Sequence, residues 1–234
     1  HSGGSVLHGS GASDHTGRAV STAGDFNGDG VDDILVGAPK AGASRGGLAY
    51  VVFGRHEFPP EVTLQDLNGE NGGFRIVGGL DNSMTGAAVA CAGDINGDGF
   101  ADVAVGAPEA GGEVGPHAGL VYIILGKDNT PPEGFQDVTI LQQEQTGMAI
   151  EGSEKDDRFG TSVAGIGDLT GDGAGELLVG SQGANHPNGV HVNVGRMHLF
   201  AGIPMDHPNL RRNRLTVERG RTVSVTRREL LGVA

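Results

Sequence analysis

An internal repeat constrains the fold of this chain more than any other feature. The segment DFNGDGVDDILVGAP at residues 25–39 returns as DINGDGFADVAVGAP at 94–108 and as DLTGDGAGELLVGSQ at 168–182. A glycine lies eight residues before the first aspartate of each segment, and a mainly apolar run follows each segment. Self-similarity of this kind indicates an array of equivalent structural units that bury their cores against one another.

Each unit is predicted to consist of short β-strands. The runs LAYVVFG (48–54) and LVYIILG (120–126) are almost wholly apolar, which is typical of strands that are covered on both faces. A further strand fits GFRIVG (73–78), and equivalent segments lie at 147–152 and 5–9. Four strands per unit is the architecture of a propeller blade. The sequence therefore predicts an all-β fold built from propeller blades.

The repeat also predicts how the chain is divided. Three blades are expected at about residues 5–72, 73–146 and 147–205, within a propeller region that covers residues 1–208. Known propellers close with four to eight blades. We therefore expect either further blades in a longer chain or association with another chain, and a piece cut from a longer array is the simpler explanation.

Oxygen-bearing side chains recur at positions 1, 3, 5 and 9 of each acidic loop, and glycine at position 6 permits a tight bend. Calcium accepts six to eight oxygens in a flexible shell, so these side chains, a backbone carbonyl at position 7 and water would suffice. Without a cation, carboxylates held this close would repel one another. The expected calcium ligands are Asp25, Asn27, Asp29, Val31 and Asp33 in the first loop, Asp94, Asn96, Asp98, Phe100 and Asp102 in the second, and Asp168, Thr170, Asp172, Ala174 and Glu176 in the third.

Two other interpretations fit these loops less well than a calcium site. An EF-hand needs a bidentate carboxylate at loop position 12, but position 12 is Val36, Val105 and Val179. Asn-Gly and Asp-Gly pairs also favour simple turns, although a turn alone does not require the same oxygen spacing three times. The third loop departs most from the pattern, because Thr170 replaces the amide and Glu176 replaces aspartate.

Charge excludes some partners. The formal net charge is −13, and seven of the 16 Lys and Arg residues lie in the tail at 209–234. Affinity for phosphate backbones comes mainly from Lys and Arg, so no nucleic-acid partner is expected for the acidic body.

The sequence has no apolar run of the roughly 20 residues that a spanning helix needs, so no membrane insertion of this region is expected.

The repeats resemble the FG-GAP repeats of integrin α-subunit propellers and their bacterial relatives. That pattern is Phe-Gly, then a calcium loop, then Gly-Ala-Pro. Phe159 and Gly160 supply the first element in the third unit, whereas the first two units have Thr-Gly at 16–17 and 85–86. The first two units carry Gly-Ala-Pro at 37–39 and 106–108, and the third has Gly-Ser-Gln at 180–182.

This resemblance implies a seven-bladed ring with calcium loops near one rim. It also implies an extracellular or cell-surface module for adhesion or protein recognition, whose partner is a protein, a matrix component or another surface ligand. Enzymatic activity is not expected, since the sequence lacks a G-x-S-x-G elbow and Cys91 has no basic residue near it in sequence.

Alternatives remain open for the whole protein and for its tail. The propeller could be a scaffold or accessory region of a secreted hydrolase resembling glycosylphosphatidylinositol phospholipases, or a structural spacer in a large surface protein. The tail at 209–234 is similar to the opening of cadherin-like repeats, and a basic linker is the other interpretation.

Overall fold

The computed structural model describes residues 4–42, 44–68, 72–127, 146–185 and 193–202, and the backbone of 135–137 and 214–216. These residues form β-strands and one turn of 3-10 helix at Leu64–Asp66, so the all-β prediction is confirmed. The strands are β1 (Val6–His8), β2 (Ala19–Gly24), β3 (Asp33–Ala38), β4 (Leu48–Val52), β5 (Glu61–Thr63), β6 (Gly73–Val77), β7 (Ala88–Gly93), β8 (Asp102–Ala107), β9 (Leu120–Ile124), β10 (Phe135–Asp137), β11 (Gly147–Glu151), β12 (Phe159–Gly167), β13 (Glu176–Ser181), β14 (Arg196–Phe200) and β15 (Arg214–Thr216).

Three of the sheets repeat one antiparallel pattern. The first sheet runs β2-β3-β4-β6, the second runs β7-β8-β9-β11, and the third contains β12-β13-β14. The innermost strands β2, β7 and β12 lie side by side, with β7 in contact with both of the others. Successive sheets that share an inner edge in this way are arranged as the blades of a propeller.

The sheets cross the boundaries of the sequence repeats. Strand β6 pairs with β4 from Gly73↔Val52 to Val77↔Leu48, so it completes the first sheet although it opens the second sequence unit. Strand β11 completes the second sheet in the same way. The units at 5–72, 73–146 and 147–205 therefore describe the repeat in the sequence, and each is offset by one strand from a sheet.

A short parallel strand follows each third strand. Strand β5 pairs with β1, β10 pairs with β6, and β15 pairs with β11, all in parallel. Strand β15 lies within the tail at 209–234, so its backbone continues the pattern of the repeats. The remainder of the tail, including the segment that is similar to cadherin-like repeats, lies outside the described residues.

The second sheet is covered on both faces, and its central strands are almost wholly apolar, with Asp102 at the start of β8 as the charged exception. All five residues of β9 are buried. Tyr122 and Ile124 belong to the core shared with the first sheet, whereas Val121 and Ile123 pack with Phe159 and the third sheet. Alternate residues of one strand therefore hold two neighbouring sheets together, as the continuous apolar runs indicated.

Glycine backbones bring neighbouring sheets into direct contact. A side-chain carbon at Gly37 would overlap the carbonyl oxygen of Gly86, and one at Gly106 would overlap the carbonyl oxygen of Gly160. Gly86 and Gly160 both have φ of 86°, a region that favours glycine. The glycines of the Thr-Gly or Phe-Gly and Gly-Ala-Pro elements therefore act as contact points between one sheet and the next.

Candidate metal sites in three equivalent loops

The three acidic loops occupy equivalent places in the fold. They connect β2 to β3, β7 to β8, and β12 to β13, which are the first two strands of each sheet. Glycine at position 6 has φ of 85° at Gly30, 95° at Gly99 and 89° at Gly173. This conformation costs little only for glycine, so the repeated glycine bends each loop back over its first aspartate.

The aspartate at position 1 caps this bend. Gly30 N donates a hydrogen bond to Asp25 Oδ2 at 2.9 Å, and Gly99 N donates to Asp94 Oδ2 at 2.7 Å. The third loop repeats the bond from Gly173 to Asp168 at 3.0 Å. The three loops, which differ at positions 2 and 3, thus share this hydrogen bond across the bend.

The aspartate at position 5 organises the other half of each loop. Its Oδ1 accepts the amide of position 7, from Val31 to Asp29 at 2.9 Å and from Phe100 to Asp98 at 2.9 Å. Ala174 N donates to Asp172 Oδ1 at 3.0 Å in the same manner. In the first loop the amide of Asn27 also donates to Asp29 Oδ2 at 3.0 Å. The aspartate at position 5 therefore fixes the same turn in the second half of each loop.

Position 9 is buried in all three loops, and in the first two it ties the loop to the end of the third strand. Asp102, which is 0% exposed, accepts hydrogen bonds from Ile95 N at 2.8 Å and Gly126 N at 2.8 Å. Asp33 accepts the corresponding bonds from the amides of residues 26 and 54, at 3.0 and 2.7 Å. The anchoring glycines at 54 and 126 were not predicted as site residues, although a glycine ends each of the apolar runs.

Burial is the main cause of unusual pKa values at position 9. It raises the pKa of Asp33 to about 6 and that of Asp102 to about 8, even though two backbone amides oppose the change at each carboxyl group. The other carboxylates of each loop raise both values further. A bound cation would favour the charged form of these groups.

The third loop is built differently. Glu176 is buried, and its carboxylate accepts a hydrogen bond from Leu169 N and one from Thr170 Oγ1, the latter at 3.1 Å. Ligand oxygens of Asp168, Asp172 and Glu176 lie within 4.8 Å of one another. Among the described residues, this loop alone brings three carboxylates so close, although its sequence departs most from the pattern.

The donor set fits a hard divalent cation. Each loop offers oxygen atoms only, from carboxylates, an amide or hydroxyl, and a backbone carbonyl, and these are the ligands that calcium prefers. Asp25 Oδ1 is buried and has no hydrogen-bond partner, whereas Asp94 Oδ1 accepts amides from Gly97 at 2.7 Å and Asp98 at 2.9 Å. A buried carboxylate oxygen without a partner is costly, so a cation ligated by Asp25 would satisfy it.

Neighbouring loops are also bonded to each other. Ala101 N in the second loop donates to Asp25 O in the first at 3.3 Å, and Gly175 N in the third donates to Asp94 O in the second at 2.6 Å. The ring of Phe100 in the second loop lies against Gly28 in the first. This link could not be predicted from the sequence, because backbone donors and acceptors leave no trace in residue identity.

Comparison with known proteins identifies the repeats. The family model described as FG-GAP repeat matches residues 16–52 and 86–124, which are parts of the first two units. Integrin alpha-6 of Gallus gallus is 35% identical over 163 residues, covering 67% of this chain and 12% of the relative. Integrin alpha pat-2 of Caenorhabditis elegans is 39% identical over 95 residues, covering 41% of this chain and 7% of the relative.

A second kind of relative matches the same repeats. Phosphatidylinositol-glycan-specific phospholipase D of Bos taurus is 36% identical over 126 residues, covering 53% of this chain and 15% of the relative. The chain therefore spans between 7% and 15% of the lengths of these three relatives. In the part of the chain that the structure describes, no helix is long and apolar enough to cross a membrane.

Two sheets with four antiparallel strands and a third with three described strands, each with an acidic loop after its inner strand, define a β-propeller of the FG-GAP class. The family match and the integrin relatives agree with this architecture. The chain belongs to the FG-GAP repeat proteins, and its blades are integrin α-like.

Proposed function

We propose that this region is a calcium-binding β-propeller module that serves extracellular adhesion or protein recognition. The observation that carries the proposal is the hydrogen bond from the amide at position 6 to the aspartate at position 1, which recurs in all three acidic loops. The proposed ligands are the side chains at positions 1, 3, 5 and 9 and the backbone carbonyls at position 7, the fifteen residues predicted from the sequence.

Calcium would stabilise the loops by compensating the charge that they concentrate. Each loop has carboxylates at positions 1, 5 and 9, of which the one at position 9 is buried, and a divalent ion removes most of their mutual repulsion. Extracellular calcium modules have Kd values of about 10⁻⁴ to 10⁻³ M. Sites of this affinity would be largely filled outside cells and largely empty in the cytosol, which supports an extracellular or cell-surface location.

Titration of the chain with calcium chloride in a calorimeter tests the metal proposal. We expect saturable binding of at least two calcium ions per chain, with magnesium binding more weakly because it requires near-octahedral geometry. Binding of fewer than two ions, or no preference for calcium over magnesium, would contradict the proposed sites.

The recognition surface is proposed to lie on the loops at the opposite ends of the strands. Loops there form a polar cleft of about 670 Å³ whose lining includes Ser153, Glu154, Asp156 and Asn185. Immobilised chain can be probed with a panel of extracellular-matrix proteins in calcium and in EGTA. Calcium-dependent retention supports recognition, and no retention by the folded, calcium-loaded chain contradicts it.

A second candidate is an accessory propeller of a secreted hydrolase, favoured by the similarity to phosphatidylinositol-glycan-specific phospholipase D. We expect no catalysis from this region itself. Burial raises the pKa of the Cys91 thiol, which disfavours the reactive thiolate. A hydrolase domain in the full reading frame would favour this candidate. Adhesion modules there would favour the adhesion or recognition module, or a structural spacer.

A further inference from the structure

A backbone bridge joins the first acidic loop to the second. Gly126 and Lys127 follow β9, the third strand of the second sheet. Gly126 N donates to Asp102 Oδ1 of the second loop at 2.8 Å, and the next amide, Lys127 N, donates to Phe26 O of the first loop at 3.0 Å. Two consecutive peptide groups are therefore bonded to two different loops.

The bridge ends on a buried carboxylate in both directions. Phe26 N donates to Asp33 Oδ2 at 3.0 Å, so the residue that accepts from Lys127 also holds position 9 of the first loop. Asp33 and Asp102 are 1% and 0% exposed. Every step of the path from Asp33 to Asp102 is therefore a hydrogen bond or part of the backbone.

Two further contacts join the same loops. Ala101 N, between the predicted ligands at positions 7 and 9 of the second loop, donates to Asp25 O of the first loop at 3.3 Å. The ring of Phe100 lies so close to Gly28 that a side-chain carbon there would overlap it. An ordered second loop therefore restricts the backbone of the first. The residue that would take the place of Lys127 after the third sheet, at 203, lies outside the described residues, so the argument concerns the first two loops.

We propose that the first two acidic loops bind calcium with positive cooperativity, and that Lys127 is a positioning residue whose backbone amide carries the coupling. This inference rests on the calcium sites of the proposed function. Ordering a loop around an ion costs conformational entropy, and a second ligand that binds an already ordered protein avoids part of that cost. An ordered Asp102 fixes Gly126 and Lys127, which in turn fix Phe26 and the first loop.

Charge alone would give coupling of the opposite sign. The first loop contains four aspartates, at 25, 29, 32 and 33, and the second contains three, at 94, 98 and 102. A divalent ion bound in one loop reduces the negative field that attracts an ion to the other. Salt at about 0.15 M weakens this effect between exposed charges, because the Debye length is then about 8 Å. The sign of the coupling therefore separates backbone ordering from electrostatics.

Two-dimensional proton–nitrogen NMR during a calcium titration in about 0.15 M salt tests the proposal. The position-6 amides of Gly30 and Gly99 report the first and second loops separately. Asp94→Asn/Asp98→Asn disables the second loop, while asparagine keeps an oxygen that can accept the amides of the bend. We expect this variant to raise the half-saturation concentration at Gly30 about twofold or more, as coupling of about fivefold or more requires between sites of similar affinity.

The reverse experiment disables the first loop. Asp25→Asn/Asp29→Asn should raise the half-saturation concentration at Gly99 by a similar factor, since coupling between two sites is reciprocal. Asp32→Asn is the control, because it removes a charge of the first loop outside the predicted ligand set. It should leave the titration of Gly99 nearly unchanged.

Lys127→Pro and Lys127→Ala form a matched pair at the bridge. Both remove the same exposed charge, but only proline removes the amide that donates to Phe26 O. Gly126 keeps its own amide and its bond to Asp102 in both variants. Disabling the second loop should therefore shift the titration of Gly30 less in the Lys127→Pro background than in the Lys127→Ala background, which should behave as wild type does.

The possible failures are distinct. A half-saturation concentration at Gly30 that stays the same or falls when the second loop is disabled would overturn the cooperativity. Equal coupling in the two Lys127 variants would overturn the role of the bridge. Circular dichroism verifies that each variant is folded, and the loop variants test the coupling without the proline variant. Calcium that shifts neither Gly30 nor Gly99 would instead contradict the proposed metal sites themselves.

Discussion

The first proposed calcium loop holds one carboxylate outside the predicted ligand set, and single substitutions separate it from the predicted ligands. Asp29 accepts hydrogen bonds from Val31 N and from the side chain of Asn27. Asp32, at position 8 of the same loop, lies outside the predicted ligand set, and both aspartates are exposed. The loop thus holds a matched pair of aspartates that differ in their expected access to the ion.

Asp29→Asn should weaken calcium binding by the first loop far more than Asp32→Asn. Asparagine keeps an oxygen that accepts the amide of Val31, so the change removes charge and largely preserves the turn. Calcium affinity depends on the number of charged ligands, and we expect a loss of about tenfold or more, equivalent to about 1.4 kcal/mol. Calorimetric titration measures it, and equal losses in the two variants would show that the ligand register is wrong.

Gly106→Ala tests the contacts between sheets at the scale of one methyl group. The new carbon would overlap the carbonyl oxygen of Gly160, and overpacking of this kind costs about 1 to 3 kcal/mol. Gly111→Ala is the control, because its nearest neighbour, Gly115 O, would lie at an ordinary 3.5 Å. Urea denaturation should show a lower free energy of unfolding for Gly106→Ala alone. Equal stability of both variants would mean that the sheets move apart without cost.

Much of the candidate site could be predicted from residue types, and part of it could not. Oxygen side chains at a fixed spacing indicate a metal loop whatever the surroundings. The amides of Gly54 and Gly126 that anchor Asp33 and Asp102 could not be assigned, because every residue except proline carries such a donor. The convergence of carboxylates in the third loop was also hidden, since it depends on how the longer side chain of Glu176 folds.

At the scale of elements, one strand position contains tyrosine in two sheets and histidine in the third. Tyr50, Tyr122 and His198 are equivalent through the pairing of the second and third strands of each sheet. The ring of His198 lies 5.4 Å from that of Phe159. Burial, and after it the charge of Arg196, lowers the pKa of His198 below its ordinary value of 6.5.

His198→Tyr should make the chain less sensitive to acid. The unfolded chain takes up the proton at a higher pH than the folded chain does, so His198 disfavours folding as pH falls through about 6.5 and does so fully below its folded pKa. The variant lacks this contribution, and its thermal midpoint should fall less than that of wild type between about pH 7 and about pH 5. Parallel pH profiles would show that His198 does not contribute.

The strands themselves were largely predictable, whereas their partners were not. Continuous apolar runs indicated β4 and β9, and both are buried at every residue. The assignment of β6 to the first sheet did not follow from the repeat, because a period gives the length of a unit and not where one sheet ends. The parallel pairing of β5, β10 and β15 was missed for a related reason, since three-residue strands carry too little pattern to show a partner.

At the scale of the whole molecule, the three loops form one connected structure. The backbone of the second loop donates to the first and accepts from the third, and the sheets beneath them share two apolar cores. Loss of structure in one loop is therefore expected to destabilise the other two loops. The repeats should consequently unfold together rather than one after another.

Removal of calcium with EGTA should lower the thermal midpoint of the entire chain in a single transition. An ion that binds only the folded form stabilises it by about 1.4 kcal/mol per site at tenfold Kd, and for a chain of this size each kcal/mol shifts the midpoint by roughly 2 to 4 °C. Scanning calorimetry with calcium, with EGTA, and with calcium restored measures the shift and its reversal. Magnesium in place of calcium is the control for ionic strength and charge. An unchanged midpoint in EGTA would exclude a structural role for the metal, and two separate transitions would show that the bonds between loops do not couple the sheets.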